Sequence, residues 1–151
     1  MEQQKYYILK YSGAIYRQTQ MYLSEKLRPY GVGAGQHTYL DAIARNPGLS
    51  LVELTQIAGV DACTTTRAVT KLEDLGYVRV QTDADDKRVR RVYVTEQAET
   101  VVAAIRQYRR EWRERITAGM SEEEKRFTGD MLSRISEQAR IALHALREGQ
   151  E

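Results

Sequence analysis

The run Thr64-Thr65-Thr66-Arg67 with Thr70-Lys71 behind it is the part of this sequence best suited to chemistry with a partner. Threonine is a weak helix former, so three in a row inside a segment with helical spacing need a reason. Cys63, Thr64, Thr66, Arg67, Thr70 and Lys71 would share the outer face of such a helix, with short hydroxyl-bearing side chains edged by cations. That surface suits the major groove of double-stranded DNA, where threonine methyls meet thymine and arginine reads guanine or a phosphate. A second group is Lys87-Arg88-Val89-Arg90-Arg91, four cations in five residues, directly after Asp83-Ala84-Asp85-Asp86. Arginine at the end of a narrow ribbon can enter a minor groove. The three aspartates would repel phosphate unless they are paired internally. The predicted DNA-binding residues are Ser50, Thr64, Thr66, Arg67, Thr70, Lys71, Lys87, Arg88 and Arg90.

Other chemistry finds little material. Gly31-Val32-Gly33-Ala34-Gly35 follows a helix rather than a strand, so it is not a dinucleotide fingerprint. Serine, histidine and aspartate occur without triad spacing, and no catalytic residue is expected. One cysteine and two histidines, His37 and His144, leave neither a disulfide framework nor a zinc cage, so no metal or cofactor is expected. Cys63 near a helix N-terminus could favour a thiolate, although a small residue on a partner-facing helix is the plainer role. Ten tyrosines are many for 151 residues. Tyr6, Tyr7, Tyr11, Tyr16, Tyr22, Tyr30 and Tyr39 crowd the first quarter, where a phenol-rich core is one explanation.

These groups need elements to hold them. Tyr6 to Arg28 reads as a long helix with Ile8, Tyr11, Ile15, Tyr22 and Leu27 on one side. It is broken at Pro29–Gly33. Gly35–Arg45 forms a second helix burying Tyr39, Leu40 and Ile43. Ser50 and Glu53 make a capping box that opens a short third helix ending at Gly59. Asp61 is the natural N-cap of the threonine-bearing helix, Ala62 to Leu75, whose inner side is Thr65, Ala68, Val69, Leu72 and Leu75. Gly76 stops that helix. The period then changes to two over Tyr77–Gln81 and Arg91–Val94, a β-hairpin with the charged segment Thr82–Val89 at its tip. Thr95 is placed to cap a long helix from Glu96 to about Ala118. Ser121 and Glu124 make another capping box for a last helix through Phe127, Met131, Leu132, Ile135, Ala139, Ala142, Leu143 and Leu146.

This order defines a mostly α fold: a winged helix-turn-helix lobe with a two-stranded hairpin wing, plus a helical region contributed by both termini. The apolar stripes of the three long helices exceed what the small central lobe can cover, which predicts a homodimer. The corresponding division is 1–31 and 96–151 for dimerisation and 32–95 for the lobe. Net charge splits as +3 over 1–47, zero over 48–95 and −1 over 96–151. Any anionic partner must therefore be bound by local patches, and the neutral central lobe keeps open a protein-interaction module without DNA binding. No stretch reaches the ~18 apolar residues of a membrane span, and the N-terminus lacks the order of a secretory signal. A cytoplasmic chain with no membrane partner is expected.

The run from Val60 to Val78, ending Leu72-Glu73-Asp74-Leu75-Gly76-Tyr77-Val78, and the wing from Asp83 to Arg88 leading into Val92-Tyr93-Val94-Thr95 resemble the MarR family of transcriptional regulators over nearly the whole chain. The resemblance implies an intertwined homodimer whose two lobes straddle a pseudo-palindromic operator, and a repressor released by a ligand. It matches Asp86 to the aspartate that orders the wing tip and Arg88 to the arginine that reaches the minor groove. Asp85 departs from the pattern, where a basic residue is common. Members of the family often bind small phenolic or lipophilic effectors between the dimer helices and the lobe. For such an aromatic or lipophilic effector, Tyr11, Tyr22, His37 and Tyr39 are the expected lining.

Overall fold

A computed structural model describes residues 7–33 and 35–149. Tyr6, expected to open the first helix, lies outside them. The elements are α1 (Tyr7–Leu27), a 3-10 turn at Arg28–Tyr30, α2 (Gln36–Arg45), β1 (Leu49–Ser50), α3 (Leu51–Ala58), α4 (Ala62–Asp74), β2 (Val78–Thr82), β3 (Arg90–Val94), a 3-10 turn at Glu96–Ala98, α5 (Glu99–Ile116) and α6 (Glu122–Arg147). Contacts divide the chain into two units, Met1–Trp112 and Arg113–Glu151.

The first unit holds the winged helix-turn-helix. Its core gathers Leu23 and Leu27 of α1, Leu40 and Ile43 of α2, Leu54 of α3, Val69 and Leu72 of α4, Val78 and Val92 of the sheet, and Val101 and Ile105 of α5. The buried positions of α4 recur at three- and four-residue steps, so the opposite face is left to solvent. Both capping boxes form as the sequence predicts: Ser50 with Glu53 opens α3 and Ser121 with Glu124 opens α6. Asp61 caps α4 by accepting from the Thr64 amide at 2.8 Å. At the other end of α4, Gly76 N–H donates to Glu73 O and Tyr77 N–H to Leu72 O. This reversal needs φ of +77° at Gly76, a left-handed conformation that favours glycine. It turns the chain directly from α4 into the wing.

The two-stranded hairpin wing forms as β2 and β3, and β1 adds a third strand, in the order β1-β3-β2. Leu49 and Ser50 pair with Val92 and Arg91, tying the start of α3 to the wing base. Two residues are too short a run to show alternation, and Asn46-Pro47-Gly48 masked them as a stop. Thr95 makes no side-chain cap. Its hydroxyl donates to Gly76 O at 2.6 Å, and the chain enters α5 through a 3-10 turn instead.

The second unit, Arg113–Glu151, contains the end of α5 and the whole of α6. None of the 26 residues of α6 is buried. Phe127, Leu132, Ile135, Ile141, Leu143 and Leu146 are all exposed. In the first unit, Ile8, Leu9, Tyr11, Ile15 and Tyr16 of α1 are exposed as well, and only Leu23 and Leu27 of that helix are buried. Among the described residues, no helix is long and apolar enough to cross a membrane.

Candidate nucleic-acid interface

The outer face of α4 is as the sequence predicts. Cys63, Thr64, Thr66, Arg67, Thr70 and Lys71 are exposed, while Thr65, Val69 and Leu72 face the core. Two hydroxyls on that face are already committed as donors. Thr64 Oγ1 donates to Asp61 Oδ2 at 2.8 Å, and Thr66 Oγ1 donates to Ala62 O at 2.9 Å. They therefore offer a partner their methyls and acceptor lone pairs. The amide and hydroxyl of Thr64 together hold the Asp61 carboxyl below its ordinary range. Arg67 and Lys71 form no ion pair within the described residues, so their charges are available.

The wing is ordered more by Asp83 than by Asp86. Asp83 Oδ1 accepts from the amides of Asp85 at 2.8 Å and Asp86 at 3.0 Å, and its Oδ2 accepts from Arg91 Nε. These bonds, led by Arg91, hold the Asp83 carboxyl down at about 2. Arg91 also donates to Gly48 O at 2.9 Å, which anchors the tip to the wing base. The Asp86 carboxylate engages Arg88 alone, its Oδ1 accepting from the Arg88 amide at 3.0 Å and from Arg88 Nε at 3.1 Å. The Arg88 side chain is still 91% exposed. The missed roles of Asp83 and Arg91 had a sequence signal, since the hairpin register sets the two ends of the tip side by side.

Ser50 joins the wing rather than α4. A groove of about 490 Å³ is lined by Ser50, Leu51, Val52 and Glu53 on one side and Arg88 to Arg91 on the other. The Ser50 hydroxyl and amide both engage Glu53 Oε2 at 2.8 Å, and these bonds lower the Glu53 carboxyl. Lys87 and Arg90 are exposed and form no ion pair within the described residues.

The four residues expected around an effector have different immediate partners among the described residues. Tyr11 is exposed and stacks on Tyr7 with ring centroids 5.5 Å apart. Tyr22 stacks on Trp112 at 4.6 Å. His37 is buried in a polar junction of α1, α2 and α5: Arg109 donates to its Nδ1 at 3.0 Å, and its Nε2 lies 3.0 Å from Gln20 Oε1. Arginine can only donate, so Nδ1 bears no proton and the ring is neutral. Burial, reinforced by Arg109, lowers the His37 value to about 4. Beside it, the buried Asp41 carboxylate accepts from Arg45, Arg106 and Arg109. Periodicity holds no hint of this cluster, because it joins helices far apart in sequence. Tyr39 lines a cavity of about 340 Å³ that it shares with Tyr16, Thr38, Val60, Thr64 and Arg67.

Among the described residues, no group of histidine, cysteine and acidic side chains could hold a metal ion. An exposed helix presented by a helix-turn-helix, with a cation-bearing wing beside it, defines a winged-helix protein. The sequence pattern of the MarR family matches residues 30–89. The chain is 28% identical over 128 residues to an uncharacterized HTH-type transcriptional regulator, YybA, of Bacillus subtilis, covering 85% of each. A MarR protein from Peptoclostridium difficile superimposes with a TM-score of 0.85 at 31% identity, covering 87% of this chain and 86% of that one. The fold is also that of Streptococcus pneumoniae FabT in complex with DNA, at TM-score 0.70, 21% identity and coverage of 89% and 96%. The chain belongs to the MarR family of transcriptional regulators, which are not enzymes.

Proposed function

We propose that this chain is a homodimeric, sequence-specific DNA-binding repressor that reads a pseudo-palindromic operator and is released by a small aromatic or lipophilic ligand. The observation that carries the reading is the exposed face of α4, where Arg67 and Lys71 make no ion pair among the described residues. The wing supplies a second contact through Arg88 and Arg90, and FabT in complex with DNA is a protein of this fold bound to that partner. Ser50, Thr64, Thr66, Thr70 and Lys87 complete the proposed contacts. Residues 1–31 and 96–151 serve dimerisation and 32–95 the DNA-binding lobe. The cavity holding Tyr39 and Tyr16 beside Arg67 is the proposed ligand site, since an occupant there would touch a DNA-reading residue.

The test is fluorescence anisotropy of a labelled duplex from the gene's own upstream region, titrated at two salt concentrations. Binding that is specific and falls steeply with salt supports the reading. Absence of binding at low salt would favour a winged-helix module that engages proteins, a role compatible with the zero net charge of residues 48–95.

A further inference from the structure

Three helices of the lobe meet at one buried hydroxyl. Thr65 of α4 is fully buried. Its Oγ1 lies 3.3 Å from Tyr39 Oη of α2 and 2.9 Å from Thr55 Oγ1 of α3. Thr55 Oγ1 in turn lies 2.8 Å from Leu51 O. Each hydroxyl has one proton to give. Thr55 Oγ1 donates to Thr65 Oγ1, Tyr39 Oη can donate to the same oxygen, and Thr65 gives its own proton to the Asp61 carbonyl. Thr65 thus gathers a donor from each neighbouring helix and passes its proton to the start of α4, and each bond polarises the next. Thr65 Oγ1 also lies 3.3 Å from Asp61 O, a carbonyl that already accepts from the Thr65 amide.

We infer that the Tyr39–Thr65–Thr55 hydroxyl chain is the positioning device of the recognition helix, fixing how α4 sits on α2 and α3 and so setting sequence discrimination. This rests on the reading of α4 as the DNA-reading helix. Apolar contacts carry no direction of their own, whereas each hydroxyl bond fixes a distance and an angle between α4 and its neighbours. Thr65 lies between Thr64 and Thr66 and two residues before Arg67, so a shift there moves every proposed base contact in the first turns of α4. Thr65 is thus a positioning residue that touches no DNA.

The prediction separates stability from reading. Thr65→Val keeps the shape and removes the hydroxyl, stranding the Tyr39 proton. Thr65→Ser keeps the hydroxyl and removes a methyl. Affinity for a preferred duplex and for a scrambled duplex is measured well below the melting temperature. Thr65→Val should lower the ratio of the two about tenfold, whereas Thr65→Ser should keep the ratio within about twofold of the parent while melting at a lower temperature. Tyr39→Phe and Thr55→Val should lower the ratio in the same direction, and they carry the test if Thr65→Val does not fold. Unchanged discrimination in the folded hydroxyl-deleted variants would overturn the inference. A parent protein that prefers no duplex would instead defeat the DNA-reading proposal. In that case the chain is tested by thermal unfolding, where Tyr39→Phe and Thr65→Val must be less than additive, and additivity would overturn it.

Discussion

At the scale of single residues, the wing divides its work between two aspartates. Asp83 gathers two tip amides and Arg91, and thereby holds the loop closed on the wing base. Asp86 holds only Arg88, through a pair exposed to solvent on both sides. Exposed pairs add little to folding, so Asp86→Ala and Arg88→Ala should melt near the parent. Both should bind DNA distinctly more weakly, because Arg88 would either be missing or have to be ordered during binding. Arg67→Ala should cost on the order of 1–3 kcal/mol and relax preference at one position in each half-site if the guanidinium reads a base bidentately. Anisotropy and thermal melts on the three variants check these outcomes. The exposed face of α4 was legible in the sequence because helical period alone fixes which side of a helix is outside. The ring contacts were not legible, because aromatic composition does not say which rings stack on each other: Tyr22 lies on Trp112 and Tyr11 on Tyr7.

At the scale of elements, α1, α2 and α5 are joined by polar groups as much as by packing. His37 accepts from Arg109 and faces Gln20, while Asp41 takes three guanidiniums. This makes the junction sensitive to acid in a definite direction. The unfolded chain protonates His37 below its ordinary 6.5, but the folded chain does so only below about 4. Between these values the unfolded state binds more protons, so stability falls as pH drops from 6.5 towards 4, by about 3 kcal/mol in all. His37→Gln can keep an acceptor for Arg109 and a donor for Gln20 without titrating. Denaturant melts across that window should show a flatter pH dependence for the variant, and equal slopes would remove His37 as the source. Helix number, order and both capping boxes were readable from spacing and local hydroxyl–carboxylate patterns. The third strand was not, since β1 exists only through its pairing with β3.

At the scale of the whole molecule, the feature that bears on the proposed dimer is apolar exposure. α6 buries nothing along 26 residues, and the first half of α1 shows solvent Ile8, Leu9, Tyr11 and Ile15. Patches of that extent mark association surfaces, and in a homo-oligomer a self-complementary pairing with two-fold symmetry is the simplest closure. A two-fold dimer presents two copies of α4, and their spacing dictates the DNA they read. The measurement that bears most directly on this account is selection of bound duplexes from a randomised pool, followed by sequencing. An enriched inverted repeat is expected, with half-site centres about one helical turn apart, roughly 34 Å along the duplex. Enrichment of a single unrepeated site, or none at all, would contradict it.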